Sequence, residues 1–227
     1  MFECAEVLKV LNEYCGISKD CDFSSWDIGP ILGKAAKELD AKIASGATKA
    51  VLVLDNMAIK IPLNLNDDAS DVFTNANCSN GWDYCEAELN ILKNAKACGV
   101  DMCFAYQELI GDIHGYPVYA QEKCVIWGNV HEYEDYSKEK RSSTEKYVRS
   151  MGHYCFNECW LSDFLDYYGS EMLEKFLDFI QGQDITDLHG GNLGYVGNRP
   201  VIVDYGGYHE ESYYDSYYDS WEEEEEE

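Results

Sequence analysis

The sequence predicts an α+β fold in two lobes with a cleft between them, and three observations support this prediction. Apolar residues alternate with the period of strands over much of residues 42–126, with one helical pattern among them. Two amphipathic helical patterns follow, over residues 155–165 and 170–182. A short hairpin pattern then covers residues 193–203. Strands and helices that occur in separate runs indicate an α+β arrangement, and ligands commonly bind in clefts between such units.

The first elements follow from the spacing of the apolar residues. Residues 28–41 carry them at helical spacing, which predicts a helix. Residues 42–54 alternate like two strands that are broken at Ser45-Gly46. Residues 58–62 form another strand, which ends at its proline.

A second helix is predicted over residues 82–97, because the apolar positions recur at helical spacing and Gly99 is a typical residue at a helix end. Two strands follow, over residues 103–109 and 117–126. The dipeptide Tyr116-Pro117 is predicted to form the turn between them.

The charge balance excludes one class of partner. The chain has 227 residues, with 43 acidic against 17 basic side chains and a formal charge of -26. Proteins that coat nucleic acids need clustered cations to displace counterions from phosphates, so direct nucleic-acid binding is not expected. The apolar stretches are too short to cross a bilayer, and the N-terminus lacks the cationic start of a signal peptide. A cytoplasmic protein without membrane partners is therefore predicted.

Ten cysteines are scattered through the apolar patterns. Because there is neither a C-x-x-C pair nor a signal peptide, reduced and mostly packed thiols are predicted instead of five disulfides. Cys155 and Cys159 would share a helix face, but no second pair accompanies them, so a zinc site is not expected.

Residues 213–227 form an acidic tail, in which a tandem Tyr-Tyr-Asp-Ser repeat precedes Trp221 and six consecutive glutamates. Adjacent carboxylates repel one another and bury nothing, so this tail is predicted to be disordered. A solubilising role is the simpler interpretation, and a docking or phosphorylatable segment is the alternative.

The residues suited to chemistry concentrate around the last hairpin. Asp187-Leu188-His189-Gly190-Gly191-Asn192 precedes it, and Asp204-Tyr205-Gly206 follows its return strand. Phosphoryl transfer needs one carboxylate to accept the proton of the nucleophile, and an amide with a second carboxylate to hold the Mg²⁺ that bridges the phosphates. A hairpin can place all three groups at one end.

These motifs resemble those of the protein-kinase-like fold. The resemblance implies that Asp187 is the catalytic base and that Asn192 is its metal-binding partner. Asp204-Tyr205-Gly206 resembles the Asp-Phe-Gly motif, which implies that Asp204 also binds the metal.

The upstream half of the family pattern is also present. Ala58-Ile59-Lys60 resembles the Val-Ala-Ile-Lys of the third strand, whose lysine holds the α- and β-phosphates of ATP. The resemblance implies that Glu88, on the predicted helix, is the ion partner of Lys60. Glu86 is the competitor, but the two glutamates point to different faces of the helix, so only one can serve.

Two further segments are assigned by the same resemblance. Gln121-Glu122-Lys123-Cys124 resembles the linker whose backbone groups hydrogen-bond adenine, which implies nucleotide contacts at Glu122 and Cys124. Residues 45–49 stand where a phosphate-binding loop is expected, but they offer Gly46 alone where standard kinases have three glycines, so fewer amides can approach the phosphates.

The chain departs from standard protein kinases at three points. Ile185-Thr186 replaces the usual His-Arg, so regulation through a phosphorylated activation loop is not expected. His189 is typical of atypical members, including aminoglycoside and choline kinases and the small kinases of some bacteriophages, and it is interpreted as a brace of the loop. Because only 23 residues follow Asp204, a strongly reduced C-terminal lobe is predicted.

The resemblance implies an ATP- and Mg²⁺-dependent phosphotransferase, foremost a minimal Ser/Thr protein kinase that acts on a protein, with cationic substrates favoured. A phage-encoded enzyme of this kind would act in the host cytoplasm. Two alternatives stay open. One is a small-molecule phosphotransferase of aminoglycoside-kinase type, and the other is a non-catalytic protein, either a pseudokinase or an acidic mimic of DNA.

The predicted organisation has four parts. They are an N-terminal helical extension (residues 1–41), an N-terminal lobe of strands with one helix (residues 42–126), a reduced C-terminal lobe with the catalytic hairpin (residues 127–212) and the acidic tail (residues 213–227).

Overall fold

The structure, a computed structural model, contains both helices and antiparallel sheets, and the predicted α+β class is confirmed. It describes residues 3–18, 23–46, 48–65, 82–130, 144, 147 and 158–206. The predicted tail over residues 213–227 and the thiol of Cys155 lie outside the described residues.

Two helices precede the strands: α1 (Cys4–Tyr14) and α2 (Ile28–Glu38). Helix α2 ends before the predicted residue 41, because Asp40 takes a positive φ of 48° and turns the chain into the first strand. The apolar faces of both helices are buried in one cluster with the strands, through Val7, Leu11, Leu32, Ala35 and Leu39. The N-terminal helices therefore complete the core of the sheet.

The larger sheet has five antiparallel strands in the order β1-β2-β3-β5-β4. Its strands are β1 (Lys42–Ser45), β2 (Lys49–Val53), β3 (Met57–Pro62), β4 (Gln107–Ile113) and β5 (Tyr116–Glu122). Ile59 and Ile61 of β3 enter the cluster with α1 and α2, whereas Lys60 between them faces the other side, as the two-residue period of a strand requires.

The predicted turn at Tyr116-Pro117 is wrong in position. The chain turns at His114 and Gly115, which both have positive φ, and the Asp112 carboxylate accepts a hydrogen bond from the Gly115 N–H at 2.6 Å. Tyr116 is instead fully buried, and its hydroxyl donates to the carbonyl of Pro62 at 2.8 Å. The preceding strand is also shifted from the predicted residues 103–109, because residues 101–103 form a short 3₁₀ helix.

Helix α3 (Tyr84–Cys98) lies on the face of the sheet that carries Lys60. The Asp83 carboxylate caps its first turn by accepting hydrogen bonds from the N–H groups of Cys85 and Glu86, and Gly99 ends it with a φ of 71°. The structure thus agrees with the predicted helix to within about two residues at each end.

A second apolar cluster, separate from the one that contains α1 and α2, includes residues of three further helices. These are α4 (Trp127–Val130), α5 (Glu158–Tyr168) and α6 (Ser170–Gly182). Its centre is aromatic, with the rings of Phe164 and Phe176 stacked at 4.6 Å and Trp160 beside them. Helix α3 contributes Leu92 and Ala95 to the same cluster, and its Glu88 contacts Lys60 of the larger sheet.

The smaller sheet consists of β6 (Val125–Ile126), β7 (Leu193–Val196) and β8 (Arg199–Ile202), in that order. The Ala105 N–H donates to the carbonyl of Ile202 at 2.8 Å and connects this sheet to the segment that enters β4. The last hairpin is thereby held beside the larger sheet.

Within the described part of the chain, every helix is too short or too polar to cross a bilayer.

The cysteines that the structure describes are free thiols, in line with the reduced thiols predicted from the sequence. Cys98 is exposed, whereas Cys103 and Cys124 are sheltered, and burial raises the pKa of each of these two thiols to about 12. The Cys103 thiolate is therefore scarce at pH 8. The thiolate is the form that reacts with alkylating reagents.

We therefore expect iodoacetamide at pH 8 to modify Cys98 at least about a hundredfold faster than Cys103 in the native protein, because the reactive thiolate is scarce and shielded at Cys103. Peptide mass spectrometry measures both rates, and labelling in urea provides the control in which they converge. Equal native rates at pH 8 would contradict the burial of Cys103.

Candidate functional site

Two lysines lie on the same face of the larger sheet. Lys60 of β3 pairs in register with Val51 of β2, and Lys49 stands two residues before Val51, on the same side of the strand. Both lysine side chains are buried, with 3% of the Lys49 side chain and 4% of the Lys60 side chain exposed. Buried ammonium groups need ionic partners, so acidic groups must lie close to this face.

Glu88 of α3 supplies the first partner. Its carboxylate is fully buried and accepts hydrogen bonds from Lys60 Nζ at 3.0 and 3.1 Å and from Lys49 Nζ at 2.9 Å. The N–H of Tyr205 adds a fourth, at 3.3 Å. Glu86 is exposed. The structure therefore brings Glu88 to Lys60, as the resemblance implies, and leaves Glu86 on another face of the helix.

Asp204 supplies the second partner, because its Oδ1 accepts a hydrogen bond from Lys49 Nζ at 2.7 Å. We refer to Lys49, Lys60, Glu88 and Asp204 as the lysine–carboxylate cluster. Asp204 is the accessible member, with 38% of its side chain exposed. A ligand would therefore reach the cluster at Asp204.

The charges of the cluster shift one another's protonation. Desolvation alone would raise the pKa of the Asp204 carboxyl, but the ammonium groups of Lys49 and Lys60 outweigh it and hold this pKa well below its ordinary value. Desolvation would likewise lower the pKa of Lys49, but Asp204 and Glu88 hold it well above its ordinary value. Asp204 and Lys49 are thus both charged near neutral pH.

The segment that carries Asp204 is fixed on both sides. The Val203 carbonyl accepts hydrogen bonds from Lys60 Nζ at 3.1 Å and from Gln121 Nε2 at 2.9 Å. The buried Tyr205 donates its hydroxyl to the Ala105 carbonyl at 2.8 Å. At Gly206, a Cβ atom would lie 2.7 Å from a backbone oxygen of α3, so only glycine fits there.

Asp187 and Asn192 face each other in the loop before β7. The Asn192 side-chain amide donates to the Asp187 carbonyl at 2.8 Å and to its Oδ2 at 3.0 Å. The Asn192 carbonyl in turn accepts a hydrogen bond from the Val203 N–H at 2.7 Å. A continuous chain of contacts therefore links Asp187 and Asn192 to the residue beside Asp204.

His189 contacts its own loop. The Gly191 N–H donates to His189 Nδ1 at 3.0 Å, so the neutral ring carries its proton on Nε2, which lies 3.6 Å from Asp187 Oδ1. A Cβ atom at Gly191 would lie 2.7 Å from the imidazole ring. This geometry is that of a residue that braces the loop, as the sequence interpretation holds.

The other residues predicted to contact the nucleotide lie in the β1–β2 turn and at or just after the end of β5. Gly46 is in the turn between β1 and β2, where its N–H donates to the Lys49 carbonyl at 3.0 Å. The Glu122 carboxylate forms an ion pair with Arg199 at 2.7 Å, and the Glu122 carbonyl accepts a hydrogen bond from the Cys124 thiol at 3.2 Å. Nucleotide binding by Gly46, Glu122 and Cys124 stays a prediction.

The predicted metal ligands fit a hard cation. Asn192 directs its amide nitrogen at Asp187, which leaves its Oδ1 as the coordinating atom, and Asp204 offers a partly exposed carboxylate. Mg²⁺ is usually bound by one or two protein oxygens together with phosphates and waters. Among the described residues, no group of three or more His, Cys, Asp or Glu side chains could hold a metal ion by itself.

Sequence reasoning missed two members of this region, Lys49 and Gln121. Lys49 was assigned to a phosphate-binding loop, although it begins a strand whose alternation with Ala50 and Leu52 places it on the face of Lys60. Gln121 was assigned to the linker, but it is buried in β5. The strand period was the signal that could have identified both residues.

Comparisons of the chain with protein-family models, with curated proteins and with solved structures gave no significant match. Its function is therefore inferred from the geometry of the site.

Replacing Glu88 with Gln should destabilise the fold by about 3 kcal/mol or more, because two buried ammonium groups lose their shared carboxylate. Replacing the exposed Glu86 with Gln, on the same helix, is the matched control and should change stability little. Urea unfolding followed by circular dichroism measures both. Equal midpoints for the two variants would show that the buried carboxylate is not needed to hold the sheet and α3 together.

Proposed function

We propose that this chain is an ATP- and Mg²⁺-dependent phosphotransferase with a protein-kinase-like architecture, which transfers a phosphoryl group to a hydroxyl acceptor. The observation that carries the proposal is the pairing of Lys60 with Glu88 beside Asp204, with Asp187 and Asn192 connected to the same place through the backbone of residues 203–204.

Lys60 is suited to hold the α- and β-phosphates of the nucleotide. Its ammonium is fixed by Glu88 and by the Val203 carbonyl, so little further ordering is needed when a ligand arrives. An ammonium in a buried site attracts phosphate strongly, because the local dielectric is lower than that of water. Such fixed charge is also needed locally, because the chain as a whole carries a charge of -26 and repels a nucleotide.

Asn192 and Asp204 would hold Mg²⁺, which offsets the charge of the phosphates when it is bound. Asp187 would accept the proton of the attacking hydroxyl. Its Oδ2 is oriented by the Asn192 amide, and its Oδ1 stands near the His189 ring, which fixes the carboxylate in the loop. These roles together satisfy the positioning and charge stabilisation that phosphoryl transfer requires.

The surrounding architecture supports the same proposal. A helix that carries the glutamate lies against an antiparallel sheet that carries the lysine, and the β5–β6 connection leads from this sheet to the helical part. The acceptor that best suits the excess of acidic side chains is a Ser or Thr hydroxyl of a cationic protein, since opposite charge speeds encounter.

Mg²⁺-ATP should raise the melting temperature of the protein, because a ligand that binds only the native state stabilises it by mass action. The shift should be largely lost in Asp204→Asn and in the presence of EDTA. Differential scanning fluorimetry with millimolar nucleotide measures the effect. If neither ATP nor EDTA moves the melting temperature of the wild-type protein, the enzymatic proposal fails and a non-catalytic role takes its place.

Asp187→Asn should lower turnover by at least about a hundredfold, with little change in nucleotide affinity, because a general base acts in the transition state. Asp184→Asn, an exposed residue of the same loop, is the matched control and should keep wild-type turnover. Transfer of labelled phosphate from ATP to a panel of basic proteins, acidic proteins and aminoglycosides measures the rates and sorts the acceptors. An Asp187→Asn protein with wild-type turnover would show that this residue is not the base.

A further inference from the structure

Lys49 has no role in the proposed phosphotransferase as described so far, yet it makes the shortest contact of the cluster, 2.7 Å to Asp204 Oδ1. Its ammonium also lies 2.9 Å from Glu88 Oε1. Glu88 does not need Lys49 to offset its charge, because Lys60 already contacts both of its oxygens. The specific effect of Lys49 is therefore on Asp204.

The charges of the cluster sum to zero, since Lys49 and Lys60 balance Glu88 and Asp204. A divalent cation bound to Asp204 would lie beside the Lys49 ammonium. It would give the site a net charge of +2. The metal ion and the ammonium would then repel each other at short distance. A nucleotide polyphosphate would remove this excess, because it brings three or four negative charges into the same space.

We propose that Lys49 is a positioning residue that neutralises Asp204 in the empty site, so that the site takes a divalent cation together with a nucleotide polyphosphate and not before it. This inference rests on the proposed function, because it assigns the order in which the ligands of that site are acquired. The exposure of Asp204 supports it, since the only accessible carboxylate of the cluster is the one that Lys49 holds.

The test is the affinity for Mn²⁺ without nucleotide, followed by water-proton relaxation with Mn²⁺ as the probe. The wild-type protein should bind Mn²⁺ weakly, and Lys49→Gln should bind it at least about tenfold more tightly, because the removed charge had opposed the metal. Lys49→Arg, which keeps the charge, should bind as weakly as the wild type. Lys175→Gln is the second control and should not gain affinity, since Lys175 is an exposed lysine of α6 that pairs with Glu171 and has no contact with the cluster.

The double variant Lys49→Gln/Asp204→Asn locates the metal and should lose the gained affinity. Circular dichroism melting confirms that each variant is folded, and Lys49→Met provides a second neutral replacement should the glutamine variant unfold. Equal Mn²⁺ affinity in the wild type and in the folded neutral variants would overturn the role of Lys49, as would a gain that survives the loss of Asp204.

The same titrations repeated with a non-hydrolysable ATP analogue separate this inference from the proposed function. If the analogue tightens Mn²⁺ binding in the wild type but the neutral Lys49 variants show no nucleotide-free gain, the phosphotransferase proposal stands and the role of Lys49 is wrong. If the variants gain Mn²⁺ affinity at Asp204 but no form binds the analogue, Lys49 does neutralise Asp204 and the phosphotransferase proposal is wrong.

Discussion

The fully buried carboxylate of Glu88 is the interaction on which the candidate site depends. Two lysines from adjacent strands and a backbone N–H converge on it, so it joins the sheet, helix α3 and the segment around Asp204 at one point. An uncompensated charge in such a position is costly, whereas a paired one fixes geometry. Glu88 therefore determines the spacing between α3 and the sheet, and with it the position of both ammonium groups.

Several features keep the segment around Asp204 in reach of this carboxylate. The absence of a side chain at Gly206 lets the chain pass close to the backbone of α3. Tyr205 anchors the segment in the second apolar cluster, where its ring centre lies 5.0 Å from that of Phe104. The second apolar cluster and the lysine-bearing face of the larger sheet thus meet at one polar centre. Such a junction between rigid elements can hold charged groups in a fixed geometry, which is what recognition of a polyphosphate requires.

The sequence was sufficient for those features that depend on local patterns. The period of the apolar residues predicted α3 and β3, and the short spacing of Asp187 and Asn192 predicted that they share a loop, in which a side-chain hydrogen bond joins them. The β4–β5 turn was misplaced because the sequence prediction relied on Pro117, whereas Asp112 and Gly115 form the turn. Lys49 was missed for another reason. The strand period places it on the face of Lys60, but its ionic partners lie 39 and 155 residues away and become visible only when the fold is known.

We propose that the lysine–carboxylate cluster binds the phosphates of a nucleotide. A crystal structure with Mg²⁺ and a non-hydrolysable ATP analogue tests it most directly. We expect phosphate oxygens within hydrogen-bonding distance of Lys60 Nζ, a metal ion on Asp204 and Asn192, and an unbroken ion pair between Lys60 and Glu88. A nucleotide bound elsewhere on the molecule, with the cluster unchanged, would contradict it.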